Sequence, residues 1–253
     1  LKADEVTCFS VGTVFCPPEK RGRGYASQLM QALVQELAPS RGVSNLYSDI
    51  GPKFYARDGW NVHSPISIRL PLTTTLPAPS SAVRMLGEGD IGEYAARDCT
   101  QVEQLMQGLA VSSDSTRVAI LPEPSVYAWH FARAQFEAGL VRPDLRLEQF
   151  GAALDDGSFV AWTYDVRQSA VVVLRAAVDT ADGLMALTNA AIGAGTIAGM
   201  KELVFWNPPF ESSLLEAGAE RIVRDGSLSS LCVFGAAPGD NVEWLLNEKL
   251  PWV

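Results

Sequence analysis

Apolar and polar positions along the chain fall into a repeated strand and helix order. "VTCFSVGTVF" (6–15) reads as a strand, and Tyr25 to Leu37 follows with a helical period that sets Leu29, Ala32, Leu33 and Leu37 on one face. "SNLYSDI" (44–50) predicts a short strand, Pro52 to Arg57 a short helix, and "WNVHSPISIRL" (60–70) one further strand. "PLTTTLPAPSSA" (71–82) has no apolar period and is rich in proline, threonine and serine, the composition of a connector. Beyond it the pattern predicts helices near 91–109 and 125–140, then strands at "QFGAAL", "SFVAWTYDV" and "AVVVLRAAV". An uncharged helix over 183–200, the strand "KELVFWN", a helix near 211–217 and closing strands at "ERIVRD" and "SLCVFG" complete the order. The expected class is mixed α/β (α+β), in two units, 1–76 and 77–253. Along 125–140, Trp129, Ala132, Phe136 and Leu140 form one stripe, expected in the core. Tyr127, His130, Arg133 and Glu137 form a second, polar one.

Composition narrows the function classes. With 253 residues, 47% of them hydrophobic, the chain has the material for a sizeable core. Its net charge of −9 sets an overall field that repels a phosphate backbone, which argues against nucleic acid as a partner. Cys8, Cys16, Cys99 and Cys232 form no CxxC pair, and His63 and His130 stand alone, so neither a zinc site nor a disulfide framework is expected and a reducing compartment fits. The stretch 183–200 approaches a membrane span in length, but alanine, glycine, threonine and asparagine dominate it, as expected of a helix packed on a sheet. Gly193, Gly195 and Gly199 within it are out of register for a dinucleotide fingerprint.

The segment "PPEKRGRGYASQLM" (17–30) stands out against this acidic background. Pro17 and Pro18 end the preceding strand, while Gly22 and Gly24 leave room in front of the helix that starts at Tyr25. A helix N-terminus presents unpartnered N–H groups and a partial positive charge, so the bend reads as a cradle for a phosphate, with Arg21 and Arg23 as local charge. No GxxxxGK[ST] sequence is present, which excludes a Walker loop.

Here the chain resembles the GCN5-related N-acetyltransferase superfamily. Arg21-Gly22-Arg23-Gly24-Tyr25-Ala26 matches the RxxGxA form of its pyrophosphate loop, and "KFYARDGW" (53–60) is similar to its FYxxxGF segment. "SNLYSDIGPKFYARDGW", "YAWHFARAQF" and "VEWLLNEKLPWV" look like the fungal lysine N6-acetyltransferase family, in which a degenerate second domain of the same kind follows the first. The resemblance implies acetyl-CoA as co-substrate. Backbone groups of Val14, Phe15 and Cys16 would hold its pantetheine arm, and Arg21, Gly22, Arg23, Gly24, Tyr25, Ala26 and Ser27 its pyrophosphate. It further implies Tyr55 as general acid toward the leaving thiolate, a cytoplasmic enzyme without a metal, and transfer to the side-chain amine of free lysine in lysine breakdown. Against the family pattern, three strands and two helices upstream of Val6 are missing, so the first domain is expected to be N-terminally incomplete and only that domain to bind CoA.

A free amino acid needs a cation for its carboxylate and an acid for its ammonium. Asp49 is one candidate, with capping of the Pro52 helix as its simpler role; His130 and Arg133, on the polar stripe, are the others. Three activities stay open: transfer to a small amine, transfer to protein lysines, and CoA binding without catalysis.

Overall fold

The structure is a computed structural model that describes residues 3–76, 82–109, 115–236 and 241–252. The connector residues 77–81 therefore lie outside the described residues. A four-stranded sheet runs β1 (Cys8–Val11), β2 (Val43–Ser48), β12 (Leu228–Val233), β3 (Asn61–Val62), with β1 parallel to β2 and β12 antiparallel to both its neighbours. A seven-stranded sheet runs β11 (Glu220–Val223), β4 (Ile66–Pro71), β10 (Glu202–Trp206), β9 (Ala170–Ala177), β8 (Phe159–Asp165), β7 (Gly151–Ala153), β5 (Arg84–Leu86). A parallel pair, β6 (Thr116–Ala119) with β13 (Val242–Leu245), lies apart. The helices are α1 (Tyr25–Leu37), α2 (Lys53–Ala56), α3 (Glu88–Gly108), α4 (Pro124–Val141), α5 (Ala181–Ile197) and α6 (Glu211–Glu216).

Each sheet takes one strand from the far part of the chain. β4 precedes the connector, yet it pairs antiparallel with β10 and β11, Ile68 standing opposite Phe205 and Arg221. β12, near the end of the chain, completes the first sheet between β2 and β3.

On the seven-stranded sheet, successive side chains point to opposite faces. Val171 meets α5, whose Gly195 sits so close that an added Cβ would lie 2.6 Å from Val171 Cγ2 and 2.8 Å from Leu72 Cδ1. The small, uncharged residues of α5 thus serve close packing on a sheet. Its first turn is capped by Thr180 Oγ1, which accepts from Gly183 N at 3.0 Å. On the opposite face Thr163 Oγ1 donates to the His130 carbonyl of α4. Among the described residues no helix is long and apolar enough to cross a membrane.

Several expectations need correction. The first strand is only Cys8–Val11, because Gly12 follows it and Thr13 turns to φ 57°. "WNVHSPISIRL" is two strands in different sheets, divided at Ser64-Pro65, where proline removes a ladder donor. Leu29 and Ala32 are exposed on α1, whose inner seam is Met30 with Leu33, Val34 and Leu37. The stripe of Trp129, Ala132, Phe136 and Leu140 faces solvent, Phe136 at 67% exposure, whereas Tyr127, Phe131, Ala134 and Ala138 pack into the core. With apolar residues on both sides of α4, periodicity alone left its rotation undetermined. The short strands β5, β6 and β13 carried too few alternating positions to be read.

Candidate functional site

β1 and β2 are in register from Cys8 with Val43 to Val11 with Leu46, and then part. Past the parting, the main-chain groups of Val14 and Phe15 make no hydrogen bond among the described residues, and Phe15 is exposed. These are the features needed to pair with an extended ligand arm between two diverging strands.

The chain then turns at Pro18–Lys20 and reaches Arg21, whose Nε donates to the Cys16 carbonyl at 3.0 Å. This bond ties the bend back on itself. Gly22 and Gly24 adopt φ of 74° and 81°, a region costly for any residue with a Cβ. Gly24 is the N-cap of α1 and offers no side-chain cap, so the N–H groups of Tyr25, Ala26 and Ser27 have no partner among the described residues. A Cβ added at Gly22 would meet nothing within 4 Å, so the space before the helix is open. The donors, the positive helix end and this clearance fit a diphosphate.

One basic residue of this site escaped the sequence reading. Arg57, just past α2, lies with its guanidinium carbon 4.7 Å from the Phe54 ring centroid, and its Nη2 donates to Ser27 Oγ at 3.2 Å. It brings a further positive charge to the first turn of α1 and links that turn to the segment carrying Tyr55. The signal was an arginine two residues after Tyr55; its contact is thirty residues back along the chain.

Tyr55 is buried between α1 and the first sheet, with Met30, Leu46, Trp60, Cys232 and Phe234, and its ring meets Phe54 edge-on at 4.9 Å. Its hydroxyl makes no hydrogen bond within the described residues. Burial first, and the charge of Asp49 second, raise its pKa above the ordinary phenol value, so the proton stays on the oxygen at neutral pH.

The three candidates for substrate recognition are placed differently from one another. Asp49 does not cap α2: its Oδ1 accepts from Ser227 N at 2.8 Å and Ser227 Oγ at 3.2 Å, pinning the turn before β12 to the end of β2. His130 is 2% exposed, and its Nε2 donates to the Leu250 carbonyl at 2.9 Å, which fixes the proton on that nitrogen. Burial holds its pKa down at about 3, so it is neutral. Arg133 is partly exposed, paired with Glu137 at 3.0 Å, and covers the Trp252 ring at 4.6 Å. His130 and Arg133 border one cavity of about 560 Å³. Asp49 joins its rim through Ser227.

A second, larger cavity, about 930 Å³, borders the buried network in which Asp98 and Glu248 hold Arg175. Arg175 donates to both oxygens of Asp98, at 2.8 and 3.0 Å, and to Glu248 Oε2 at 3.2 Å. Burial pushes the Glu248 carboxyl up to about 7, against the lowering effect of Arg175. No group of His, Cys, Asp and Glu among the described residues is gathered as for a metal ion.

Comparison with known proteins identifies the fold and the family. A lysine acetyltransferase of Yarrowia lipolytica is 27% identical over 236 residues, covering 75% of this chain and 59% of that protein. A GCN5-related N-acetyltransferase from Kribbella flavida superposes with a TM-score of 0.54 at 19% identity, over 92% of this chain and 57% of that one. A probable N-acyltransferase from Enterococcus faecalis gives 0.53 at 15% identity, over 90% and 55%. The chain thus spans somewhat over half the length of these proteins, and the solved structures establish a shared acetyltransferase fold. The family described as the LYC1 GNAT-like C-terminal domain matches residues 67–253, most of the length, and the chain belongs to it.

Proposed function

We propose that this chain carries the CoA-binding and acid-donating part of an N-acetyltransferase acting on a primary amine, with the side-chain amine of free lysine as acceptor, in lysine breakdown. The first sheet with α1 and α2, completed by β12, supplies the cofactor side, and the seven-stranded sheet, which includes β4, with α4 contributes to the substrate side. The observation that carries the reading is the Arg57 to Ser27 hydrogen bond, which joins the open N-terminus of α1 to the segment presenting Tyr55. The name of the Yarrowia lipolytica relative supports lysine as acceptor.

Gly22 and Gly24 give the diphosphate access to the N–H groups of Tyr25, Ala26 and Ser27, with Arg21, Arg23 and Arg57 as countercharge. Val14, Phe15 and Cys16 offer main-chain partners to the pantetheine arm. Acetyl-CoA supplies the activated thioester. Tyr55 Oη holds a proton whose ordinary pKa of about 10 is already above that of a thiol, about 8.5, and burial raises it further. The phenol, the weaker acid, donates only as negative charge builds on the sulfur, and the phenolate left behind regains the proton that the amine nitrogen releases on acylation. Four free thiols, Cys8, Cys16, Cys99 and Cys232, are compatible with a reducing, cytoplasmic setting.

The test combines calorimetric titration of acetyl-CoA with a free-thiol release assay. Binding together with thiol release on free lysine is expected, and Tyr55→Phe should lower kcat by about 10²-fold or more while acetyl-CoA affinity stays within about twofold. Binding without release on any amine would leave a CoA-binding scaffold, and release on peptides alone would make the acceptor a protein lysine.

A further inference from the structure

The cavity beside His130 lies on the face of the seven-stranded sheet that α4 covers incompletely. Val172, Val204 and Trp206 form its floor, and the C-terminal residues Lys249 and Trp252 its roof. Its size suits a small molecule.

Two of its cations are unusual. The Arg224 guanidinium carbon stands 3.4 Å from the Trp206 ring centroid, and the group donates to the Ser227 carbonyl and Ser229 Oγ, while its buried Nε has no partner among the described residues. Lys249 Nζ lies between two indoles, 4.1 Å from the Trp206 centroid and 3.5 Å from that of Trp252. No carboxylate among the described residues forms an ion pair with either side chain. Arg133, in the same cavity, has Glu137, and the buried Arg175 has two carboxylates.

An indole face attracts a cation but neutralises nothing. Two half-buried positive charges over one ring, with no carboxylate in ion-pair contact among the described residues, are therefore held at a cost that an anion beside them would offset. Burial lowers the pKa of Arg224 to about 10, and burial together with the Arg133 and Arg224 charges lowers that of Lys249 well below its ordinary value, against the weaker raising effect of Asp165 and Asp49.

We propose that Arg224 and Lys249 form a carboxylate subsite, so that the acceptor is a free amino acid, held by its carboxylate, in preference to a lysine within a polypeptide. Two contacts join this subsite to the end of β2, beside the cofactor side. Tyr47 meets Trp206 at 5.9 Å, and Asp49 anchors Ser227, whose carbonyl takes the Arg224 bond. Asp165, Glu202 and Asp225 also line the cavity and match the ammonium of the same ligand. The proposal rests on the acetyltransferase reading and deepens it.

The test compares free lysine with lysinamide, which keeps both amines and replaces the carboxylate by a neutral amide. kcat/KM should favour lysine by roughly tenfold or more, the worth of one charge-assisted pair. Arg224→Gln and, separately, Lys249→Met should each cut that preference to about twofold, with acetyl-CoA affinity as the check that both variants fold. Thiol release at equal rates on both compounds, or a preference untouched in both folded variants, would overturn the subsite. If neither compound releases thiol, the lysine acetyltransferase reading fails. The subsite is then decided by direct titration of lysine and lysinamide: tighter binding of lysine that both variants lose supports it, and equal binding, or none of either, overturns it.

Discussion

Alanine at Gly22 separates the cradle's backbone geometry from its binding role. Gly22 has φ 74°, and an added Cβ would meet no atom within 4 Å, so Gly22→Ala creates no clash in the free protein. Its cost in stability is the left-handed conformation alone, about 1–2 kcal/mol. At roughly 2 °C per kcal/mol for a chain of this length, the melting temperature should fall by about 2–4 °C. The methyl group would, however, stand in the space where a diphosphate must approach the backbone. Displacing one charge-assisted N–H bond is worth about 1.5–3 kcal/mol, or roughly 10- to 150-fold in acetyl-CoA affinity. Gly218 provides a matched control: it too has positive φ, 94°, and open space where a methyl group would stand, but lies between α6 and β11, away from the cradle. Gly218→Ala should melt like Gly22→Ala and bind acetyl-CoA like the parent chain in calorimetric titration. Equal affinities for the two variants would refute the cradle.

Arg57→Ala removes both the third basic group at α1 and the tie to Ser27, so acetyl-CoA affinity should drop by several-fold, about 1 kcal/mol, with a slope against salt shallower than the parent's. An unchanged salt slope would deny Arg57 a place at the anion. Asp98→Asn leaves Arg175 buried with Glu248 as its one charged partner among the described residues, and urea denaturation should show a loss of about 3–5 kcal/mol; a loss under about 1 kcal/mol would mean the network is internally redundant. His130 has a folded pKa of about 3 against about 6.5 when unfolded, so the unfolded chain binds the extra proton and stability falls as pH drops through that window. Between pH 7 and pH 5, His130→Gln should lose about 2 kcal/mol less than the parent chain, read from paired urea midpoints, and parallel losses would contradict a neutral buried imidazole.

The parts of the site that sequence made legible are local ones. The helix Tyr25–Leu37 was readable to its ends because Gly24 closes one side of it and Ala38-Pro39 the other, and the glycines of the cradle sit within the same short stretch. Arg57 could not be read, since what gives it meaning is Ser27, on another helix. The same holds for Arg224 and Lys249, which share the Trp206 ring although the three residues come from separate elements. Apolar alternation identified β4 and β12 as strands but carries no information on partners, so neither their sheets nor the break at Pro65 was read, though that proline was a visible signal. On α4, packing against Thr163 and the Leu250 carbonyl chose the buried face; the amphipathic pattern did not.

The exchange of β4 and β12 bears on how the protein is made. β2 lies beside β12, which spans Leu228–Val233, so a nascent chain must emerge past residue 233 before β2 gains that neighbour. Tyr55 leans on Cys232 and Phe234 from that late segment and its sequel. A stop codon shortly before Leu228 would therefore strip Tyr55, encoded about 170 codons earlier, of two of its packing partners, while leaving the glycines and arginines of 21–24 in the chain.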